Sequence, residues 1–226
     1  MTDAAGARHP LRVDRVGDAA LLVTLDEKLD LRVNSWAHRA AAALAARRSS
    51  MPGLGVPVPG HASVLVPFDP DLCAEETLRS ILEATVGEAA SARSSTAGAV
   101  HEIVVRYGGL DGPDLPEVAD RTGLSEADVV RLHAGVEYRV LVLGFVPGFP
   151  YLGLVPAQLE LPRRMTARVR VPAGSVAITG RQTCVYPFET PGGWHLIGRT
   201  DAWLWDARRD PPTLLAPGDR VRFVPA

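Results

Sequence analysis

The residues with the clearest chemical potential concentrate in one stretch, GRQTCVYPFETPGGWHLIGRT, at positions 180–200. Cys184 and His195 lie on either side of a Pro-Gly-Gly turn, and a thiol beside an imidazolium can become a thiolate nucleophile. In the alternative, Cys184 is a small apolar residue packed in a strand, as free cysteines usually are. Both residues fall on predicted strands and neither on a helix N-terminus, which favours the alternative.

Four arginines precede this stretch and indicate a second kind of chemistry, the binding of an anion: Arg163, Arg164, Arg168 and Arg170. Arg168 and Arg170 are two positions apart in a predicted strand, so we expect their side chains to project from the same side. Two guanidinium groups on one face suit a carboxylate or phosphate. A solvated outer face explains the same pattern, and the sequence leaves both interpretations open.

Several other chemistries are disfavoured by the motifs. Lys28 is the only lysine and follows no glycine run, so a phosphate-binding loop is absent, as is a dinucleotide-binding glycine motif. The six histidines are scattered without metal-ligand spacing, and we expect no metal site. A helix pair at 114–135 could pass for a DNA-reading motif, but its second helix begins with acidic residues that repel phosphate.

Composition narrows the class of protein further. The 226 residues carry a formal net charge of −2, which disfavours binding to nucleic acid. We find no apolar run of membrane-spanning length and no secretory leader, so the sequence predicts a cytoplasmic protein without a membrane anchor. Cys73 and Cys184 are expected to be reduced thiols.

The elements of the first part predict a small α+β domain over residues 1–90. Positions 11–25 read as two strands around Gly17-Asp18, and a helix from 30 to 48 begins at the capping residue Asp30. A buried strand follows at 62–68, and Asp69-Pro70 is expected to open a second helix that ends near Val86. Positions 87–98, which are small and polar, are interpreted as a linker.

The second part, residues 91–226, reads as many short strands separated by turn residues, which is typical of a closed barrel or sandwich. The predicted strands lie at 101–107, 137–145, 167–172, 175–180, 183–188, 194–200, 202–206 and 220–225. A helix pair capped by Asp114 and Ser125 interrupts them. The aromatic segment GFVPGFPYLGL at 144–154 is expected to be a stiff loop that lines a pocket.

Four segments together resemble one family, the KipI-like proteins, also known as the B subunit of 5-oxoprolinase or allophanate hydrolase subunit 1. They are YGGLDGPDLPEVA (107–119), LSEADVVRLHAGVEYRVLVLGFVPGFPYLGL (124–154), RVPAGSVAITGRQTCVYPFETPGGWHLIGRT (170–200) and PGDRVRFVP (217–225). The N-terminal segments at 17–25 and 52–70 are also similar to the family, so the resemblance covers nearly the whole chain.

The resemblance implies an α+β chain in which a small domain precedes a cyclophilin-like β-barrel. It also implies one component of an ATP-dependent 5-oxoprolinase that cleaves 5-oxoproline to L-glutamate with two partners, a KipA-like protein and a LamB/YcsF-like protein. Two alternatives come with the family: a regulator that inhibits a sensor histidine kinase, and a carboxyltransferase-type component of urea metabolism. Prolyl isomerase activity, suggested by the barrel alone, has little support.

Residue chemistry then suggests roles at positions that the resemblance supports. His133, Gln182 and Thr183 are candidate catalytic residues, with His133 as acid/base or interface group and the other two as hydrogen-bonding groups. The candidate substrate- and anion-binding residues are Arg168, Arg170, Tyr186 and Trp194. Cys184 stands where the family usually has glycine, so the resemblance assigns it no nucleophilic role.

Overall fold

The structure, a computed structural model, describes residues 11–91 and 98–226, and the chain divides into two compact units, Met1–Thr96 and Ala97–Ala226. The first unit combines a small sheet with helices, and the second is built on a closed barrel. The predicted α+β class with a barrel in the second part is therefore confirmed.

The first unit contains a four-stranded antiparallel sheet and two long helices. The sheet has the order β1-β2-β4-β3, with β1 (Arg12–Arg15), β2 (Ala20–Thr24), β3 (Val58–Pro59) and β4 (Ser63–Pro67); the helices are α1 (Leu31–Arg47) and α2 (Glu75–Ser91). Alternate residues of β2 and β4 are buried, as the period of two in a strand requires. They form one core with the apolar stripes of both helices.

The two helices illustrate one confirmed and one wrong prediction of helix ends. The Asp30 carboxylate caps α1 by accepting hydrogen bonds from the backbone N–H groups of Arg32 and Val33. Asp69 does not open α2; its carboxylate accepts from the N–H of Asp71 in a turn, and α2 begins at Glu75.

The second helix also ends later than predicted, so the beginning of the predicted linker is helical. Instead of stopping near Val86, α2 continues to Ser91. Two bonds from α1 hold this end: the Trp36 indole donates to Val86 O at 2.7 Å, and Arg39 Nε donates to Ala89 O at 2.9 Å. Positions 92–97 of the predicted linker lie outside the described residues.

The second unit is organised around seven strands that close into a barrel in the order β10-β7-β6-β13-β5-β12-β9. They are β5 (Val100–Tyr107), β6 (Glu137–Leu143), β7 (Pro150–Gly153), β9 (Ser175–Thr179), β10 (Gln182–Val185), β12 (His195–Arg199) and β13 (Arg220–Pro225). Strand β13 runs parallel to β5, and the other barrel pairs are antiparallel. Each barrel strand contributes buried apolar residues to one cluster, which is the barrel interior.

Two short helices, α3 (Leu115–Thr122) and α4 (Glu126–Ala134), pack onto this interior through Leu115, Val118 and Val129. Gly123 ends α3 in the left-handed conformation, and the Ser125 hydroxyl caps α4 by accepting from the N–H of Asp128, as predicted. Among the described residues, no helix combines the length and apolar character needed to cross a membrane.

Three predicted features of the second part are wrong. The aromatic segment is only partly a loop, because Pro150–Gly153 forms β7 of the barrel. Positions 202–206 form no strand and make only an isolated bridge between Trp205 and Thr213. The turn expected at 191–193 includes part of another strand, β11 (Thr190–Gly192), which pairs with β8 (Arg168–Val171) in a separate two-stranded sheet.

The barrel interior predicts a large effect of truncating Phe223, which is buried in β13 and stacks on the ring of His133 at 4.8 Å. We expect Phe223→Ala to lower the free energy of unfolding by about 3–5 kcal/mol, since an aromatic side chain is lost from a packed core. Val224→Ala, at the next and more exposed position, is the matched control. Urea unfolding followed by tryptophan fluorescence measures both, and equal effects would contradict the assigned interior.

Candidate functional site

The barrel strands β9, β10 and β12 present two different faces. Val176 and Ile178 of β9 point into the barrel interior, whereas Ala177 between them belongs to a second cluster on the outside. Ala177 pairs with Cys184 of β10 and with Leu196 of β12. These three residues form the base of an outer-face cluster that also includes Phe149, Val171, Tyr186 and Trp194.

Aromatic rings cover this base in edge-to-face contacts. The ring of Phe149 lies 5.0 Å from that of Tyr151, 5.2 Å from Tyr186 and 6.0 Å from Trp194, measured between centroids. Tyr151 and Trp194 also meet edge to face at 6.0 Å. Such T-shaped contacts stabilise a fixed arrangement of rings, so the outer-face cluster is a rigid, largely buried apolar layer.

The loop that carries Phe149 into the cluster has an unusual exposed residue. Phe145 has a positive φ of 70°, a left-handed conformation that non-glycine residues seldom adopt, and its side chain is 61% exposed. Its ring meets Phe149 edge to face at 5.5 Å. At Gly148 the backbone is so close to Trp205 that a Cβ atom would lie 2.8 Å from the Trp205 Cβ. The loop is therefore packed against Trp205 and Phe149 while it presents Phe145 to solvent.

The ionisable groups of the outer-face cluster are kept neutral. Burial raises the pKa of the Cys184 thiol well above its ordinary value. Burial likewise raises the pKa of Tyr186 and that of Tyr151, and the positive charge of Arg163 acts against burial on both phenols. The cluster thus contains a protonated thiol and phenols that can donate hydrogen bonds, and no thiolate.

A buried carboxylate, Asp114, lies at the edge of this cluster and binds two of the four arginines. Its two oxygens accept two bonds from Arg168, at 2.6 and 2.8 Å, and one from Arg164 at 2.9 Å. It also accepts the backbone N–H of Leu196 at 2.7 Å. The sequence predicts that Asp114 caps α3, and Asp114 does occupy the N-cap position. Its side chain makes no capping bond, because its oxygens accept the bonds described above.

Cys184 and His195 do not form a catalytic pair. Strand β9 lies between their strands: Cys184 is opposite Ala177, and His195 is opposite Ile178 on the other edge of β9. The His195 ring is buried, and its Nε2 contacts Pro162 O at 3.0 Å. The strands predicted at 183–188 and 194–200 are therefore not neighbours in the barrel.

The barrel interior contains a chain of polar groups centred on His133. Its Nδ1 lies 2.7 Å from the Tyr107 hydroxyl, and its Nε2 lies 2.9 Å from Oγ1 of Thr183. Thr183 in turn donates to Ala177 O at 3.0 Å. Burial lowers the pKa of His133 to about 3, so the imidazole is neutral at pH 7. This arrangement connects α4 to β5 and β10.

The predicted site residues therefore occupy different places. Tyr186 and Trp194 come together in the outer-face cluster. His133 and Thr183 contact each other inside the barrel, where both side chains are fully buried, and this geometry favours a structural role over contact with a substrate. Gln182 is half-buried at the start of β10, and its catalytic role stays a prediction.

The two predicted anion-binding arginines also separate. Arg168 is paired with Asp114, so its anion is supplied by the chain itself. The side chain of Arg170 is 80% exposed, with Nε 3.5 Å from Glu189, which fits the solvated-face alternative. A shared anion site formed by Arg168 and Arg170 is therefore not what the structure presents.

Sequence reasoning missed Asp114 as an ion-pair partner and Tyr107 as a partner of His133. An aspartate before a helix reads as a cap, and nothing local distinguishes a cap from a long-range partner. Tyr107 carries no signal beyond its place at the end of a predicted strand. Within residues 11–91 and 98–226, no cluster of His, Cys, Asp and Glu has the grouping of a metal site.

The Asp114 network predicts a strong effect of neutralising this carboxylate. We expect Asp114→Asn to lower the free energy of unfolding by about 3 kcal/mol, because it removes the shared partner of two partly buried guanidinium groups. Asp201→Asn is the control, since Asp201 pairs with Arg106 at an exposed position where ion pairs contribute little. Urea unfolding measures both variants, and a loss as small for Asp114→Asn as for the control would contradict the assigned network.

The buried His133 predicts acid sensitivity. Its folded pKa of about 3 lies below the ordinary 6.5, so the unfolded chain binds a proton that the folded chain excludes between these values. Above about pH 6.5 this group does not reduce the free energy of unfolding. Below that value it lowers the free energy of unfolding by about 1.4 kcal/mol per pH unit. His133→Gln should flatten the fall between pH 6.5 and 4.5, measured by urea unfolding. Thr183→Val keeps the imidazole, so it should keep this fall in the free energy of unfolding. Equal slopes of that free energy against pH in wild type and His133→Gln would contradict a neutral, buried His133.

Comparisons with known proteins agree on one family. Residues 11–215 match the family described as carboxyltransferase domain, subdomain C and D. The chain is 47% identical over 214 residues to the 5-oxoprolinase B subunit of Escherichia coli O157:H7, covering 93% of this chain and 94% of the relative. It is 39% identical to the 5-oxoprolinase B subunit of Bacillus subtilis (strain 168), covering 94% and 92%.

Longer proteins also contain a similar region. The crystal structure of TTHA0988 superposes with a TM-score of 0.78 at 40% identity, covering 92% of this chain and 39% of that one. Urea amidolyase of Saccharomyces cerevisiae is 32% identical over 120 residues, which are 48% of this chain and 6% of the relative. Because the family match spans most of the sequence and the 5-oxoprolinase relatives align along nearly their full length, the chain belongs to the family of carboxyltransferase domains, subdomain C and D, together with B subunits of 5-oxoprolinase.

Proposed function

We propose that the chain is the B subunit of a 5-oxoprolinase, which opens the lactam of 5-oxoproline to give L-glutamate. The observation that carries this proposal is the 47% identity to a 5-oxoprolinase B subunit over 93% of this chain and 94% of the relative. The chain works in the cytoplasm with a KipA-like partner and a LamB/YcsF-like partner. Two buried free cysteines, Cys73 and Cys184, are consistent with a reducing compartment.

The geometry supports a binding component that depends on its partners for catalysis. Attack on a lactam requires a strong nucleophile or an activated carbonyl, because amide resonance makes the carbonyl a poor electrophile. The outer-face cluster contains a protonated Cys184 thiol, and the neutral imidazole of His133 is enclosed in the barrel. Neither group is an activated nucleophile, so activation of the lactam is assigned to the partners.

ATP is assigned to one of the partners in this proposal. The chain has no phosphate-binding loop, and three of its helices begin with carboxylates: Glu75 and Glu76 in α2, Glu117 in α3, and Glu126 and Asp128 in α4. Acidic residues at these positions repel phosphate from the helix N-termini that would otherwise attract it. In the complex, ATP activates the lactam carbonyl; this chain contributes binding and orientation of the substrate.

One alternative has its own observation. The match to urea amidolyase favours a carboxyltransferase-type component that acts in urea metabolism, but it spans 48% of this chain, against 93% for the oxoprolinase relative. A regulator that inhibits a sensor histidine kinase is the other alternative, and it depends on the family resemblance alone. The three functions differ in what they act on, so one set of assays separates them.

The test is reconstitution with each component omitted in turn. The chain is co-expressed with its KipA-like and LamB/YcsF-like partners, and ATP-dependent release of glutamate from 5-oxoproline is measured. We expect activity with all three proteins and a loss of at least about 100-fold when this chain is left out, because a missing part of a composite site removes positioning of the substrate.

The control adds the purified chain back to the preparation that lacks it, which should restore activity and shows that the two partners are folded. Activity that persists without this chain would contradict the proposal. ATP-dependent turnover of urea or allophanate in place of 5-oxoproline would favour the urea alternative, and inhibition of kinase autophosphorylation without turnover would favour the regulator.

A further inference from the structure

We propose that a surface groove beside Phe145, together with the exposed Phe145 ring, binds an uncharged apolar side chain that projects from the partner proteins of the complex. This groove, the Phe145 groove, lies between Thr213 and the loop 144–148 that joins β6 to β7. Because the partners are those of the proposed 5-oxoprolinase, the inference rests on the proposed function in that one respect.

The Phe145 groove has an uncharged lining. Its walls are Leu143, the five residues of the loop 144–148, and Thr213, and it encloses about 340 Å³. None of the lining side chains carries a charge, and the Thr213 hydroxyl is the only polar group among them. This volume is near the lower end of the range for ligand pockets, so the groove suits a side chain better than a large cofactor.

Phe145 is held beside the groove by a strained turn. The N–H of Val146 donates to Gly144 O at 2.9 Å, two residues back, and Phe145 between them has a φ of 70°. This is the γ-turn with a positive central φ, which is the rare and strained form. Across residues 11–91 and 98–226, Phe145 is the one non-glycine residue with a positive φ. Glycine would adopt this turn without strain, so the strain favours a function for the ring.

Both walls of the groove are fixed before any partner binds. The loop is closed by the N–H of Gly144, which donates to Phe149 O at 3.1 Å. The opposite wall is held by the bridge between Trp205 and Thr213, and the loop packs against Trp205 at Gly148. A preformed surface loses little conformational entropy on binding, which favours affinity.

The surroundings of the groove have the composition of an interface centre. Trp203, two residues before Trp205, is as exposed as Phe145, at 61%. The Arg208 guanidinium lies over the Trp203 ring, 5.6 Å from its centroid. Aromatic residues and arginine are the side chains that contribute most of the binding energy at protein interfaces.

The charges near the groove cancel, and this indicates which occupant matches it. Segments 143–148 and 203–213 together contain two aspartates and two arginines, and so no net charge. Asp206 and Arg208 pair with each other at 3.0 Å, and Arg209 donates to backbone oxygens of its own segment. A charged group in the groove would lose water without gaining a partner, whereas an uncharged apolar side chain is complementary to the lining.

A protein covers this surface better than a small molecule does. A small apolar molecule in the groove would leave the exposed ring of Trp203 uncovered, whereas a protein surface can cover it together with Phe145. In TTHA0988, the region similar to this chain is 39% of one longer chain, so there it is covalently joined to further protein. A separate B subunit requires a non-covalent surface in place of that link.

The first test removes the ring and keeps the turn. Phe145→Gly should weaken binding of the chain to the preparation of both partners by about 10- to 100-fold, the loss typical of a central interface side chain. Calorimetric titration measures this affinity. The free energy of unfolding, measured with urea, should change little, because glycine relieves the strain. Leu72→Ala is the matched control, since Leu72 is 64% exposed and lies in the first unit; it should leave binding unchanged.

The second test introduces a charge into the groove. Thr213→Glu should weaken binding to the same preparation, because its carboxylate has no partner there, whereas Thr213→Val keeps the wall uncharged and should bind like wild type. Circular dichroism checks that both variants are folded. The ratio of wild-type to Phe145→Gly affinities should be equal at about 0.05 and 0.5 M salt, since salt screens only interactions between charges.

Two results would overturn the Phe145 groove as a partner site. One is unchanged affinity of both Phe145→Gly and Thr213→Glu for the partners. The other is self-association of the chain in light scattering that Phe145→Gly abolishes, which would assign the groove to a second copy. In either case, ATP-dependent opening of 5-oxoproline by the complex leaves the proposed function standing. If the complex binds this chain and does not open 5-oxoproline, the proposed function fails, and the titrations still decide the groove.

Discussion

One buried carboxylate holds the barrel, a helix and the arginine segment together. Asp114 lies at the start of α3, yet its oxygens bind the backbone of β12 through Leu196 and the guanidinium groups of Arg164 and Arg168. An unpaired charge at a position this buried would cost several kcal/mol, so the three elements must meet around it. The position of segment 162–168 against the barrel follows from this constraint, and with it the position of Arg163.

The barrel wall separates two kinds of chemistry that share the same strands. Because side chains alternate along β10, Thr183 points inward to His133, whereas Cys184 points outward to the aromatic rings. The inner side is closed, and the neutral imidazole of His133 connects α4 to the barrel wall. The outer side combines aromatic rings in fixed contact with a protonated thiol and phenols. A one-residue shift of register in β10 would exchange the two sets of residues.

Local patterns predict the elements of this chain well and the contacts between them poorly. The helix capped by Asp30 follows from periodicity and a cap, and Tyr186 and Trp194 belong to one cluster, whereas their role as pocket walls stays a prediction. The insertion of β9 between β10 and β12 could not be predicted, because strand neighbours depend on closure of the whole barrel. The sequence also could not show which arginines are paired with a carboxylate of the chain. Asp114, the partner of Arg164, is 50 residues away in sequence, and only the fold brings the two together.

Strand β13 has a consequence for how the barrel is made. It is the last of the seven strands in sequence order and is inserted between β5, the first, and β6. Until it is synthesised, β5 and β6 expose edges whose N–H and C=O groups lack partners, and such edges recruit strands from other molecules. Closure also requires contacts between segments far apart in sequence, which form slowly. A second unit that still lacks residues 220–225 therefore leaves the edges of β5 and β6 open to pairing with strands of other molecules.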